Sequence, residues 1–206
     1  MILLVQMLYT GGFIAIAMSN YTMAYWMMND GWWMWIPLFF VSISCEIAIL
    51  CCVKIRRAVP INYILLGVFT MCFAYYAAQA SVYYGYNDPS IVYEAAILTV
   101  CITLAVTIYA WTAKTDFTVM RGMMFVFGMA FFWFLILSLC FGVWMPTLWA
   151  SLCICLYGLF LLCDTQLIFG KNRYKLSIDD YVAGAMMIYI DIIMIFIYML
   201  QILGRK

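Results

Sequence analysis

Seven apolar stretches, at residues 2–28, 33–53, 61–84, 91–111, 119–141, 147–169 and 181–203, are each long enough for a helix to cross a bilayer, which takes about 20 residues. Of the 206 residues, 69% are hydrophobic and 9% charged, against roughly 25% charged in soluble domains. A soluble core could not hide that surface. The expected fold is an all-α integral membrane protein, one transmembrane domain over residues 1–206 without repeats or linkers. Pro37, Pro60, Pro89 and Pro146 fall near the starts of runs, where the first helical turn has no use for the missing amide. The first run has no basic leader and no small-residue cleavage pattern, so it reads as a retained span.

The basic residues orient the spans. Lys54, Arg56, Arg57, Lys114, Arg121, Lys171, Arg173 and Lys175, eight of the ten, fall in alternate connections, while those around Asp30, Asp88 and 142–146 hold none. The positive-inside rule then places the N-terminus in the cytosol. Seven crossings would leave Arg205 and Lys206 on the far side against that rule, yet the last run is long and unbroken and is read as crossing. Trp26, Trp32, Trp33, Trp35, Trp144 and Trp149 cluster at the expected outer boundary, as interfacial aromatics do.

Composition also excludes functions. A net charge of +1 with scattered basic residues offers no nucleic-acid surface. The nine cysteines lie within apolar runs, as lipid-buried thiols rather than a disulfide scaffold. The absence of histidine excludes a Ser-His-Asp or Cys-His nucleophile and argues against zinc or haem. No enzyme and no resident cofactor is expected.

Glu46, Glu94, Asp164 and Asp191 stand inside apolar runs, where a charge costs at least about 2.5 to 3.5 kcal/mol and therefore tends to serve an ion or proton path. At 1.5 Å per residue, Asp164 lies about 9 Å and Asp191 about 15 Å from the cytosolic boundary, and Glu46, counted back from Arg57, about 16 Å. Three helices thus bring carboxylates into one slab. Two carboxylates in a dry interior share a proton, with one apparent pKa raised towards neutrality. Deprotonated, they offer hard oxygens to calcium, as a permeant or weakly held ion. Arg57 is long enough to reach a nearby carboxylate and act as a lock. Glu94, near the outer end of the fourth span, is an accessory carboxylate favoured by the helix dipole. Bland alternatives stand beside each: a structural Asp164–Asp191 strut, and arginines that only set topology.

The C-terminal stretch, with Asp164-Thr165-Gln166, Leu176-Ser177, Asp179-Asp180-Tyr181 and Tyr189-Ile190-Asp191-Ile192-Ile193, resembles the transmembrane Bax-inhibitor-motif family, in particular its lifeguard branch. The segment CCVKIRRAVPINYILLGVFT, at 51–70, resembles the family's second-to-third-helix region. Ile178 departs from the usual proline and Met187 from a common asparagine. Many lifeguard members carry a long proline-rich N-terminal tail ahead of the matching region. The resemblance implies six helices around a central seventh and a pH-dependent calcium leak that regulates organellar calcium and cell death. Its sensor and gate would be Asp164 and Asp191, with Arg57 as lock and Glu46 as accessory. It further implies endoplasmic reticulum or Golgi, with the plasma membrane as alternative, and cell-death regulatory membrane proteins as partners. Competing readings are a proton-coupled cation antiporter and a non-conducting interaction protein. A seven-helix receptor and an intramembrane aspartyl protease lack their motifs here.

Overall fold

The computed structural model describes residues 1–113, 117, 128–129, 136, 146–169 and 177–204. The fifth apolar run, apart from three isolated positions, and Lys114, Arg121, Lys171, Arg173, Lys175, Arg205 and Lys206 lie outside the described residues.

The described elements are helical: α1 (Ile2–Ser19), α2 (Tyr21–Asn29), a 3-10 turn (Gly31–Met34), α3 (Trp35–Cys51), α4 (Val53–Arg57), α5 (Ile61–Gly85), α6 (Ser90–Thr112), α7 (Pro146–Phe169), a 3-10 turn (Ile178–Asp180) and α8 (Tyr181–Leu203). Among the described residues six helices are long and apolar enough to span: α1, the turn with α3, α5, α6, α7 and α8. They correspond to the first, second, third, fourth, sixth and seventh sequence runs. Pro60 and Pro89 sit immediately before α5 and α6, and Pro146 opens α7. Side chains such as Leu8, Ile97 and Ile108 are 74%, 63% and 59% exposed on the outer surface. That inside-out distribution suits lipid rather than water.

The first run does not form one helix. Asn20 adopts an extended conformation, and its side-chain oxygen accepts from the amides of Thr22 (3.1 Å) and Met23 (3.2 Å), starting α2. Such a cap satisfies donors that a new helix leaves open. Asn20→Ala is therefore expected to lower stability by about 1 kcal/mol, read as a lower unfolding midpoint in detergent, whereas Asn20→Asp retains the cap.

α8 packs against α1, α3, α5, α6 and α7, so among the described residues it touches every other spanning helix. It shares the centre with α5, whose Ala74, Ala77, Ala78 and Ala80 are buried and permit close helix approach. Phe69 and Phe73 of α5 meet Tyr189 of α8 edge-on at 6.4 and 6.2 Å. Among the described residues Cys45, Cys72 and Cys153 are buried thiols outside any disulfide.

Candidate functional site

On α3, Trp35, Phe39, Ser42, Glu46 and Leu50 recur at three- and four-residue intervals, one face of a helix. On α7 the same spacing aligns Tyr157, Phe160 and Asp164, and on α8 Met187, Asp191, Met194, Tyr198 and Gln201. With Phe73, Tyr76 and Gln79 of α5, these faces line a half-open cavity of about 980 Å³. From Met187 to Gln201 it follows α8 for about 21 Å.

Glu46, Asp164 and Asp191 all line this cavity. Asp164 and Asp191 are 7% and 4% exposed, while Glu46 is half-buried. Tyr157 stacks on Tyr198 with ring centroids 6.0 Å apart, and lies within electrostatic reach of both Asp191 and Glu46. Among the described residues no three His, Cys, Asp or Glu side chains gather closely enough to hold a metal ion. The three carboxylates line one cavity without forming such a cluster.

Two placements differ from expectation. The chain is extended at Cys52 (φ −100°, ψ 92°), so α3 ends at Cys51. Glu46 is then five residues, about 7.5 Å, from its helix end, not the depth counted through a continuous helix to Arg57. Arg57, on the separate α4, does not reach the aspartates. Its Nε and Nη2 donate to the two carboxylate oxygens of Asp180 at 2.9 and 3.2 Å, a bidentate pair. The Nε of Arg56 lies 3.0 Å from the same carboxylate. The hydrogen-bonded Arg57 guanidinium holds the Asp180 carboxyl below the usual carboxylate range, opposed by burial and aided by the charge of Arg56. This clasp ties α4 to the N-terminus of α8, at the cavity's carboxylate end. Glu94 is exposed on α6 and is not a lining residue.

Over residues 1–206 the sequence matches the family described as "Inhibitor of apoptosis-promoting Bax1". The chain belongs to the Bax inhibitor family. It is similar to protein lifeguard 3 of human, 34% identical over 161 residues covering 76% of this chain and 51% of that protein. Similarity to mouse protein lifeguard 3 is 29% over 214 residues, 100% of this chain and 67% of the relative. The Golgi anti-apoptotic protein of vaccinia virus (strain Lister) is 31% identical over 150 residues, 72% of this chain and 60% of the viral protein. This chain thus spans about half to two thirds of the length of these relatives.

Two features of this Bax inhibitor family member escaped the sequence reading. Tyr189, fully buried, shares a 2.7 Å hydrogen bond with Thr10, and Gln6 donates to Thr70 at 2.9 Å, so a polar network joins α1, α5 and α8 two residues from Asp191. Buried networks of this kind fix a helix's rotation when their members are paired. Gln166, two residues after Asp164, accepts from the Phe117 amide at 2.9 Å, and its amide group lies 3.4 Å from the Ala110 carbonyl. It fastens the chain after α6 onto α7. Gln6, Thr10, Gln166 and Tyr189 are uncharged polar residues within apolar runs, which was the available signal.

Proposed function

We propose that this protein is a pH-sensitive calcium leak channel of an internal membrane that restrains cell death, with Asp164 and Asp191 as sensor and Glu46 as an accessory carboxylate in the same path. The carrying observation is the convergence of these residues, from three helices, on one elongated cavity. Calcium is a hard cation that prefers carboxylate and other oxygen ligands, and a path needs such groups without tight caging. Arg57 locks this path through Asp180 rather than by covering the aspartates. The anti-apoptotic role and a Golgi location draw support from the description of the family and the name of the viral relative.

The test is calcium entry into dye-loaded liposomes holding the purified protein, from about pH 5 to 8, the window around a carboxylate pair sharing a proton. Flux well above that of empty liposomes, changing with pH, is expected. Flux that requires an opposing proton gradient would replace the channel by an antiporter. A wild type that passes no calcium at any pH would leave a non-conducting interaction protein.

A further inference from the structure

We infer that Cys51 and Cys52 are a site of reversible S-acylation, at which a long-chain fatty acyl group is joined through a thioester and lies along the outer face of α3. The inference does not depend on whether the protein conducts calcium.

Cys51 closes α3 and Cys52 is the extended corner before α4, so two adjacent thiols stand at the end of a membrane span. Both are exposed and outside any disulfide. Lys54, Arg56 and Arg57 follow on α4, and the positive-inside rule puts a corner with three basic residues on the cytosolic side, the compartment of fatty acyl-coenzyme A. Exposure alone does not select a cysteine, because Cys101 and Cys155 are exposed too. Those two lie about 16 Å and about 14 Å from the nearest ends of α6 and α7, at a depth of hydrocarbon that a polar coenzyme cannot enter cheaply. Among the described residues, Cys51 and Cys52 alone combine an exposed thiol with the end of a spanning helix. Cysteines at such a membrane boundary are where reversible acylation takes place.

The surface that an acyl chain would cover is also present. Phe40, Ser44, Ile47 and Cys51 recur at intervals of four, three and four residues and are all exposed, one outward stripe of α3. It runs about 16 Å inward from the thiol, the depth of one leaflet in a hydrocarbon core about 30 Å thick. Ser44, the polar member, donates to the Phe40 carbonyl at 2.6 Å, so its hydroxyl hydrogen is satisfied beneath lipid. Lys54, exposed two residues after Cys52, offers a cation to the phosphates of coenzyme A. In the reaction a cysteine gives up its proton and the thiolate attacks the acyl carbonyl carbon of acyl-coenzyme A. A new bond forms from that carbon to Sγ, the bond from it to the sulfur of coenzyme A breaks, and coenzyme A leaves as the thiol with the proton; no oxidant is needed. Because α4 follows Cys52 directly and carries Arg57, the thioester tethers the arginine side of the Asp180 clasp to the leaflet.

The test uses the full chain expressed in cultured animal cells fed an alkyne analogue of palmitate. Wild type should take up label that neutral hydroxylamine removes. Labelling is expected to fall about tenfold or more in Cys51→Ser/Cys52→Ser and to stay at the wild-type level in Cys101→Ser/Cys155→Ser. A readout on wild type alone covers the case of a variant that fails to fold. Free thiols are blocked, those that hydroxylamine then releases are tagged with a maleimide, and the tags are located by fragment-ion mass spectrometry; they should fall on Cys51 or Cys52. Wild type without label, label that survives hydroxylamine, or tags confined to other cysteines overturns the inference. A disulfide between the two neighbours would give the first of these outcomes, with thiols released by a reductant and not by hydroxylamine.

Discussion

Asp191→Asn is expected to abolish the pH response of calcium flux, leaving a rate across about pH 5 to 8 equal to that of wild type at its acid end. Asp191 lies ten residues into α8, about 15 Å deep, and with Asp164 lines the cavity in a buried setting. Two carboxyls that meet in a dry interior share a proton, and the channel reading takes Asp164 and Asp191 as such a pair. Asparagine has nearly the shape of protonated aspartic acid and cannot ionise. The variant is thus fixed in the proton-sharing state. Asp164→Asn produces the same state with the roles reversed and should give the same flat profile. Wild-type flux should change about tenfold or more over this window, and either variant less than about twofold. If both variants follow the wild-type profile, the aspartates are a structural strut and the sensor lies elsewhere.

The spans were legible because crossing a bilayer demands a length of apolar sequence that little else imposes. α5, α7 and α8 begin or end within a residue of the runs at 61–84, 147–169 and 181–203. The break at Asn20 was not legible, because one polar residue hardly changes the hydropathy of a run, although its side chain can start a helix. That Asp164 and Asp191 line one cavity agrees with their depths, which the rise per residue gives from local sequence. Arg57 was misplaced for a related reason. Its reach was judged along an unbroken second helix, whereas the extended residue Cys52 turns α4 aside. Its partner, Asp180, is 123 residues away in sequence, so the pairing exists only in the folded chain. The Thr10–Tyr189 bond spans 179 residues, a pairing that exists only once three helices have packed.

Asp180→Asn is expected to raise calcium flux roughly threefold to tenfold at every pH, because a lost latch shifts the population towards the open form by a constant factor. The clasp is bidentate, which makes it stronger than a casual surface pair, and it joins α4 to the start of α8 beside the carboxylate end of the cavity. Its pH behaviour separates it from the sensor. A carboxyl held below its ordinary range contributes stability that is complete above its unfolded value, about 3.9, and is lost only as pH falls through the lower folded one. Asp180, pushed down first by Arg57, therefore remains ionised from about pH 5 to 8, and the latch cannot generate a pH response there. The two variants should leave different signatures: Asp191→Asn flattens the profile, whereas Asp180→Asn multiplies it and keeps its shape. Exchanging the charges, with Arg57→Asp and Asp180→Arg together, tests the contact itself. Return of the double variant towards wild-type flux, from single variants that both leak, identifies the pair as the latch. If Asp180→Asn conducts like wild type, Arg57 sets topology and the gate is elsewhere.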